Sequence, residues 1–454
     1  MNKQKTMIRS MTEGSVWTCL LVFGVPYMLS MLLQTAYNVV DMAVVGHFVG
    51  SVGLSAVSVG GDVLQLLTNT CMGFAVAGQV MIAQYVGKQE HENITKTIGT
   101  MSTMLMALGL LLTILCILLS EQILGWMHTP EEAHDSARAY SLVCYIGLLP
   151  IYGYNAVSAI LRGMGDSRRP MIFVAIAAFM NLILDLLFVA VFHMGAFGAA
   201  LATVLGQTFS FVCSVVYLYR KRESFGFDFS PRSFVPDSRK ALTLVKLGIP
   251  QAIQYASVAI STLFVNSSLN AFGVTVSAVN GVGAKLVNVI FIVTNSVSAA
   301  CGTIVGQCLG AGLHDRVKKC VYCALIVNAC WIIPVLGLFN LIPRALFGLF
   351  TTEGAILDWA PTFCRVLLVS LVGFIAMGPY YSIASGLGFA SFNLIVGLMD
   401  AFLGRVGLSW LFGKVLGFGV VGYWIGNYSA AYITVIITAI YFYSGKWKTH
   451  KLLD

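Results

Sequence analysis

The chain has 454 residues, of which 58% are hydrophobic and only 10% charged, with a formal net charge of +8. Soluble domains carry about 25% charged residues, so this composition excludes a water-soluble globule and indicates a polytopic helical membrane protein. The positive charge does not point to nucleic acid, because the basic residues are scattered over many loops instead of gathering on one domain.

The basic start MNKQKTMIRSMTEGSVW runs straight into the first apolar segment, without the short apolar core and small-residue cleavage site of a secretory signal. That segment is therefore expected to stay as a helix. Apolar runs bounded by charged or Gly/Pro-rich breaks predict an all-α fold of twelve spans. They lie at about 16–41, 53–82, 97–119, 138–160, 170–191, 197–219, 243–270, 276–305, 318–341, 361–385, 393–413 and 420–443. Alternate loops hold 21 of the 27 basic residues, among them Lys3, Lys5, Arg9, Lys88, Lys96, Arg162, Arg168, Arg169, Arg220, Arg316, Lys446 and Lys451. The opposite loops carry Glu121, Glu131, Glu132, Asp135, Glu353 and Asp358. Retention of Lys and Arg on the cytoplasmic side places both termini there.

The longest connection, RKRESFGFDFSPRSFVPDSRK at 220–240, reads as a cytoplasmic linker between an amino-terminal lobe (1–219) and a carboxy-terminal lobe (241–454). The lobes repeat each other. Gly24-Val-Pro26 recurs as Gly248-Ile-Pro250, Ala83-Gln-Tyr-Val-Gly87 as Gly306-Gln-Cys-Leu-Gly310, and Arg162-Gly-Met-Gly165 as Ser385-Gly-Leu-Gly388. Each copy has an even number of spans, so the two six-helix bundles are expected to be related by a pseudo-twofold axis along the membrane normal, with a cleft between them.

Polar residues inside spans nominate the chemistry. Gln34, Tyr37, Asn38 and Asp41 fall at i, i+3, i+4 and i+7, one stripe of the first helix and a suitable cavity wall. An ionised Asp in mid-bilayer costs at least about 2.5–3.5 kcal/mol, so Asp41 either marks an ion or substrate path or lies just beyond the helix end. Asn181 and Asp185 share a helix face, at a depth matching that of Asp41. The three read as a cation or proton site, with interhelical bonding as the alternative for Asn181 and Asp185. Two close carboxylates titrate as a coupled pair, and their oxygens also suit a hard cation such as sodium. Asp62 and Asp400 are further in-span carboxylates, Asp400 without polar company. Pro26 is a candidate hinge, because proline removes a helical hydrogen bond and clashes with the preceding turn. Lys285 and Arg405 are lone cations in apolar spans, and Lys285 is taken as a second-rank cavity residue.

Other chemistry finds no support. Cys320 and Cys323 form a lone CxxC, and the seven histidines, including His128 and His450, make no metal-ligand motif. No phosphate-binding G-x-x-x-x-G-K-[ST] loop exists, so neither direct ATP coupling nor an enzyme is expected, and no cofactor beyond a coupling ion.

The first-span pattern Pro26…Gln34…Tyr37…Asp41…Gly46, the AQYVG closing span two, LRGMGDSRRPM after span four, Asn181…Asp185 and the six-plus-six duplication together resemble the multidrug and toxic compound extrusion (MATE) family, nearest its bacterial DinF-like branch. The resemblance implies a V-shaped pair of bundles in the bacterial inner membrane, acting as a monomer, that exports cationic, often aromatic drugs in exchange for protons or sodium. It adds Thr203 to Asp41, Asn181 and Asp185 at the ion site, and Asn155 to Gln34 and Tyr37 in the adjoining cavity. The acidic residues that the NorM-like and eukaryotic branches carry in spans seven and ten are missing here, so no carboxy-terminal cation site is expected. A lipid or oligosaccharide-lipid flippase of the same architecture is the alternative.

Overall fold

A computed structural model describes residues 10–127, 129–222 and 226–449; Lys3, Lys5, Arg9, His128, His450 and Lys451 fall outside them. The described residues form twelve spans in two six-helix repeats, with no strand among them. The first six are α1 (Val16–Phe48), α2 (Gly50–Lys88), α3 (His91–Leu118), the pair α4 (Glu131–Ile146) and α5 (Leu148–Gly163), α6 (Arg168–Asp185) and α7 (Gly195–Arg220). The second six are α8 (Ser238–Asn270), α9 (Val274–Gly310), α10 (His314–Leu341), the pair α11 (Gly354–Val369) and α12 (Leu371–Leu387), α13 (Ala390–Leu398) with its continuation, and α14 (Gly419–Ser444).

Nine of these spans are long and apolar enough to cross a membrane alone, and the two bent pairs bring the number to eleven. The twelfth, α8, has 33 residues and ample length, but its Gln, Ser and Asn side chains dilute its hydropathy. The bends are 45° at the α4–α5 junction and 47° at the α11–α12 junction, repeat-related positions at Gly147 and Ser370. Spans five and eleven also match, since each ends in π-helical turns, Leu186–Val191 and Leu411–Val415. Apolar side chains such as Leu118, Phe179, Val212, Leu263 and Ile440 stand exposed, as lipid-facing positions require.

The chain forms two compact units. One holds residues 25–252 and the other residues 11–24 with 253–454, so α1 changes unit next to Pro26 and α8 just beyond Pro250. In the first unit, small side chains let helices approach closely: Ala56, Ala137, Ala199 and Ala200 are fully buried beside Val45, Tyr140 and Cys144. The Tyr152 hydroxyl donates to the Leu67 carbonyl (2.7 Å), and the Ser210 hydroxyl to that of Phe173 (2.7 Å). The second unit is filled differently. Val265, Phe363, Phe374, Trp424 and Tyr428 share one core, with the Phe363 and Trp424 rings 5.1 Å apart. Its start is clamped by Arg316, whose guanidinium donates to the carbonyls of Met11 (2.9 Å), Glu13 (2.8 Å) and Gly14 (2.7 Å).

The 220–240 connection is not a loose strand over its described part. Phe227, Phe229 and Phe234 pack edge to face, Thr103 donates to the Phe234 carbonyl (2.6 Å), and Thr95 donates to that of Gly226 (3.1 Å). Gly99 lets the Ser233 carbonyl lie against α3, where a Cβ would overlap it. Asp237 caps α8 by accepting from the amides of Arg239 and Lys240 (both 3.0 Å), and the Lys240 amide foremost holds its carboxyl below the usual carboxylate range.

Gly99→Val should therefore lever the connection off α3, with faster protease cleavage within 226–237 and unchanged helix content; cleavage at the wild-type rate would contradict this docking. A carboxyl whose folded value is depressed stabilises above its unfolded value, about 3.9, and the contribution is lost as pH falls through the lower folded one. Amide protection at Arg239 and Lys240 should accordingly be complete at neutral pH and fall only below that range. Asp237→Ala should remove it at every pH.

Candidate functional site

A cavity of about 640 Å³ lies within the first unit, walled by α1, α2, α4, α5, the start of α6 and α7. The polar stripe of α1 faces it with Gln34, Tyr37, Asn38 and Asp41. The helix does not end at Asp41: it continues seven residues to Phe48, about 10 Å further, so the carboxylate is inside the span and not in a loop beyond it. From α5, Asn155 lines the cavity while its amide nitrogen donates to the Ile151 carbonyl (2.8 Å). That bond fixes the side chain against its own helix and leaves its carbonyl oxygen available.

Asn181 and Asp185 stand behind this wall, not in it. They are 4% and 1% exposed and do not line the cavity, whereas Thr203 does. Thr203 connects the layers, accepting from the Asn181 amide at 3.3 Å. The contact depends on α6 and α7 lying close together. A Cβ at Gly206, one turn from Thr203, would stand 3.0 Å from the Ala177 carbonyl and 3.2 Å from the Asn181 amide nitrogen, tighter than side chains normally pack. The four predicted ion-site residues are thus brought together, with Asp41 and Thr203 at the cavity surface.

Asp41 stands at the cavity surface, and Asp185 lies buried behind it, one turn beyond Asn181. As ionised carboxylates they lack donors: Asp41 Oδ1 and both oxygens of Asp185 are buried with no hydrogen-bond partner, as is Gln207 Oε1 nearby. A buried acceptor left without a donor costs about 1–3 kcal/mol, more for a charged one. Four unsatisfied oxygens on adjoining helices therefore form a place that a proton or hard cation would stabilise. The backbone becomes π-helical at Leu186, directly after Asp185, a local widening that often marks functional positions in helices.

Several wall residues were not expected in the cavity. Asp62, noted in the sequence only as an in-span carboxylate, forms with Gln65 and Asn69 a stripe at i, i+3 and i+7 on α2, the same signal that nominated the α1 stripe. Gln207 follows Thr203 by four residues on α7. Tyr140, Tyr154 and Arg162 also line the cavity, and Arg162 is buried with its Nε donating to Gln79 Oε1 (3.1 Å) and its guanidinium 5.7 Å from the Tyr27 ring centre. Tyr140 is the one α4 residue on the wall and gives no spacing signal, whereas Tyr154 and Arg162 share the cavity face of α5 with Asn155, Arg162 at i+7 from it.

Two expectations need correction. Lys285 does not line this cavity: it belongs to the second unit, where its ammonium stands 5.5 Å from the Phe350 ring centre. Asp400 has polar company after all. Arg405 donates to its Oδ2 (3.0 Å) and Thr434 to its Oδ1 (3.4 Å), so the buried acid meets a half-buried base because π-helical turns over Met399–Leu408 put residues five apart on one face.

A family model described as MatE matches the chain twice, over residues 26–187 and 250–411, beginning at the repeat-related Pro26 and Pro250. The probable multidrug resistance protein YoeA of Bacillus subtilis (strain 168) is 24% identical over 459 residues, covering 99% of this chain and 98% of its own. The probable multidrug resistance protein NorM of Thermotoga maritima is 25% identical, covering 96% and 94%. Among solved structures, an outward-facing conformation of a multidrug resistance MATE family transporter of the MOP superfamily superposes with a TM-score of 0.90 at 22% identity, covering 98% of each chain. At that identity the likeness speaks for the fold.

The close approach of α6 and α7 supplies its own test. Gly206→Leu should part the helices, lower stability by about 1–3 kcal/mol and break the Asn181–Thr203 contact, whereas Gly61→Ala, where a Cβ meets nothing within 4 Å, should be neutral in the same thermal unfolding measurement.

Proposed function

The chain belongs to the MatE family, whose members are membrane transporters and not enzymes, and we propose that it is a secondary antiporter that exports amphipathic organic cations in exchange for inward protons or sodium ions. It sits in the bacterial plasma membrane with both termini in the cytoplasm and works as a monomer. The observation that carries this reading is the pair Asp41–Asp185: its buried oxygens lack donors, and Asp41 opens directly on the cavity. An ion bound at the pair therefore changes the charge of the wall that the organic cation meets.

With Asp41 and Asp185 ionised, the negative wall holds the cation among the tyrosine rings of the cavity. A proton or sodium ion entering the pair supplies the missing partner, removes the negative charge and releases the cation. For the exchange to drive transport, the ion must bind two packings of the first unit unequally. The hinge for that change is assigned to α1 at Pro26, which has no amide hydrogen to donate to the preceding turn, while Ser30 donates to its carbonyl (2.9 Å). The compact units also part company beside it, between Gly24 and Val25.

A carrier of lipid-linked pyrophosphates would need a basic lining. Arg162 is the basic residue of this one, against the carboxylates of Asp41 and Asp62, which supports cations as cargo. Everted membrane vesicles loaded by ethidium uptake, under separate proton and sodium gradients, provide the test. Asp41→Asn and Asp185→Asn should each reduce ion-driven uptake at least about tenfold, as expected when a group acting only in the coupled state is removed. Wild-type rates in both variants would overturn the mechanism, and the gradient that drives the wild type identifies the ion.

A further inference from the structure

The cavity holds a second carboxylate that the ion mechanism leaves unused. We infer that Asp62 is the docking group for the cationic centre of the transported molecule, separate from the Asp41–Asp185 pair that binds the ion. The inference rests on the antiport reading above and deepens it by dividing ion and cargo between two acids.

Asp62 lies on the face of α2 that lines the cavity, and its side chain is exposed there. Among the described residues it makes no ion pair. Its polar neighbours on that face are already engaged, since Gln65 donates to Asn69 at 2.9 Å. The two glycines before it have opposite surroundings. Gly60 accommodates the Tyr140 ring, which a Cβ would overlap, while a Cβ at Gly61 would meet nothing within 4 Å. The carboxylate thus has open space on its Gly61 flank in a cavity whose wall also carries the Tyr37, Tyr140 and Tyr154 rings, the combination of charge and π-faces that suits an organic ammonium or phosphonium ion.

Charge along the cavity favours the same end. Arg162 bonds to Gln79, seventeen residues after Asp62 on the unbroken helix α2, hence about 25 Å away along its axis. A cation entering the cavity is repelled from the Arg162 end and attracted to Asp62. Depth separates the two acids as well. Asp62 lies twelve residues from the start of α2, about 18 Å, whereas Asp41 lies about 10 Å from the adjoining end of α1. Cargo on Asp62 therefore leaves the ion pair accessible, so that an ion entering the pair discharges the shared wall and releases the cargo.

Binding to the purified, detergent-solubilised protein tests this without relying on transport. Tetraphenylphosphonium is compared with triphenylphosphine oxide, a neutral molecule that carries the same rings. Asp62→Asn should raise the Kd for the phosphonium about tenfold and leave that for the oxide unchanged. Gly61→Leu, which fills the open flank without altering charge, should weaken both. Equal loss of both probes in Asp62→Asn, or an unchanged phosphonium Kd, would overturn the assignment, as would unaltered binding in Gly61→Leu. The antiport reading fails on a different result, ion-independent uptake by wild-type vesicles, which leaves these affinities to decide the role of Asp62 by themselves.

Discussion

Everything distinctive in the first unit follows from placing acceptor oxygens where a bilayer supplies no donors. Asp185 is all but inaccessible, its two oxygens and one of Asp41 have no partner, and Gln207 adds another orphan. Such groups are tolerated only where a proton, an ion or water completes them. Around them the helices are held by backbone acceptors, as in the Tyr152 and Ser210 hydrogen bonds, and by small residues such as Gly206 and Ala199 that permit close approach. The packing holds the orphans in place instead of relieving them.

The second repeat shows what the same architecture becomes without that constraint. The residue related to Asp41 is Val265, buried at 1% exposure in a core with Phe363, Phe374 and Trp424. Its in-span carboxylate, Asp400, is neutralised by Arg405 and supported by Thr434. One repeat therefore encloses a polar cavity with unsatisfied acids, while the other is filled with aromatic rings and has its acid paired. A duplication that began with equal halves has been differentiated by side chains, while the bends at Gly147 and Ser370 and the π-helical ends of spans five and eleven persist in both.

Both prolines of the repeat lie where the chain passes from one compact unit to the other. The segments outside the spans are anchored locally, Arg316 clamping residues 11–14 within the second unit and the 226–237 connection docking on α3 of the first. Each anchoring uses backbone carbonyls as acceptors, which places few demands on the connecting sequence. That freedom explains why a polar, proline-containing stretch reads as a simple linker although it is packed.

The twelve spans, the duplication and the polar stripe of α1 were all legible in the chain, because hydropathy over about 20 residues and helical spacing are local properties. So was the grouping of Asp41 with Asn181 and Asp185, since depth along a helix follows from residue count. The α2 stripe of Asp62, Gln65 and Asn69 carried the same kind of signal. What the chain could not disclose is which side chains from different helices share a space. Arg162 entered the cavity wall, Lys285 went to an aromatic ring in the other unit, and Asp400 found Arg405 through a change of helical pitch. Nor does residue count reveal that Asp185 stands behind the wall and Asp41 within it. Sequence determined the depth and face of each polar group along its own helix. Only tertiary structure decided its neighbours, because helix rotation and separation are set by close contacts such as Gly206 against Ala177, which no single helix encodes.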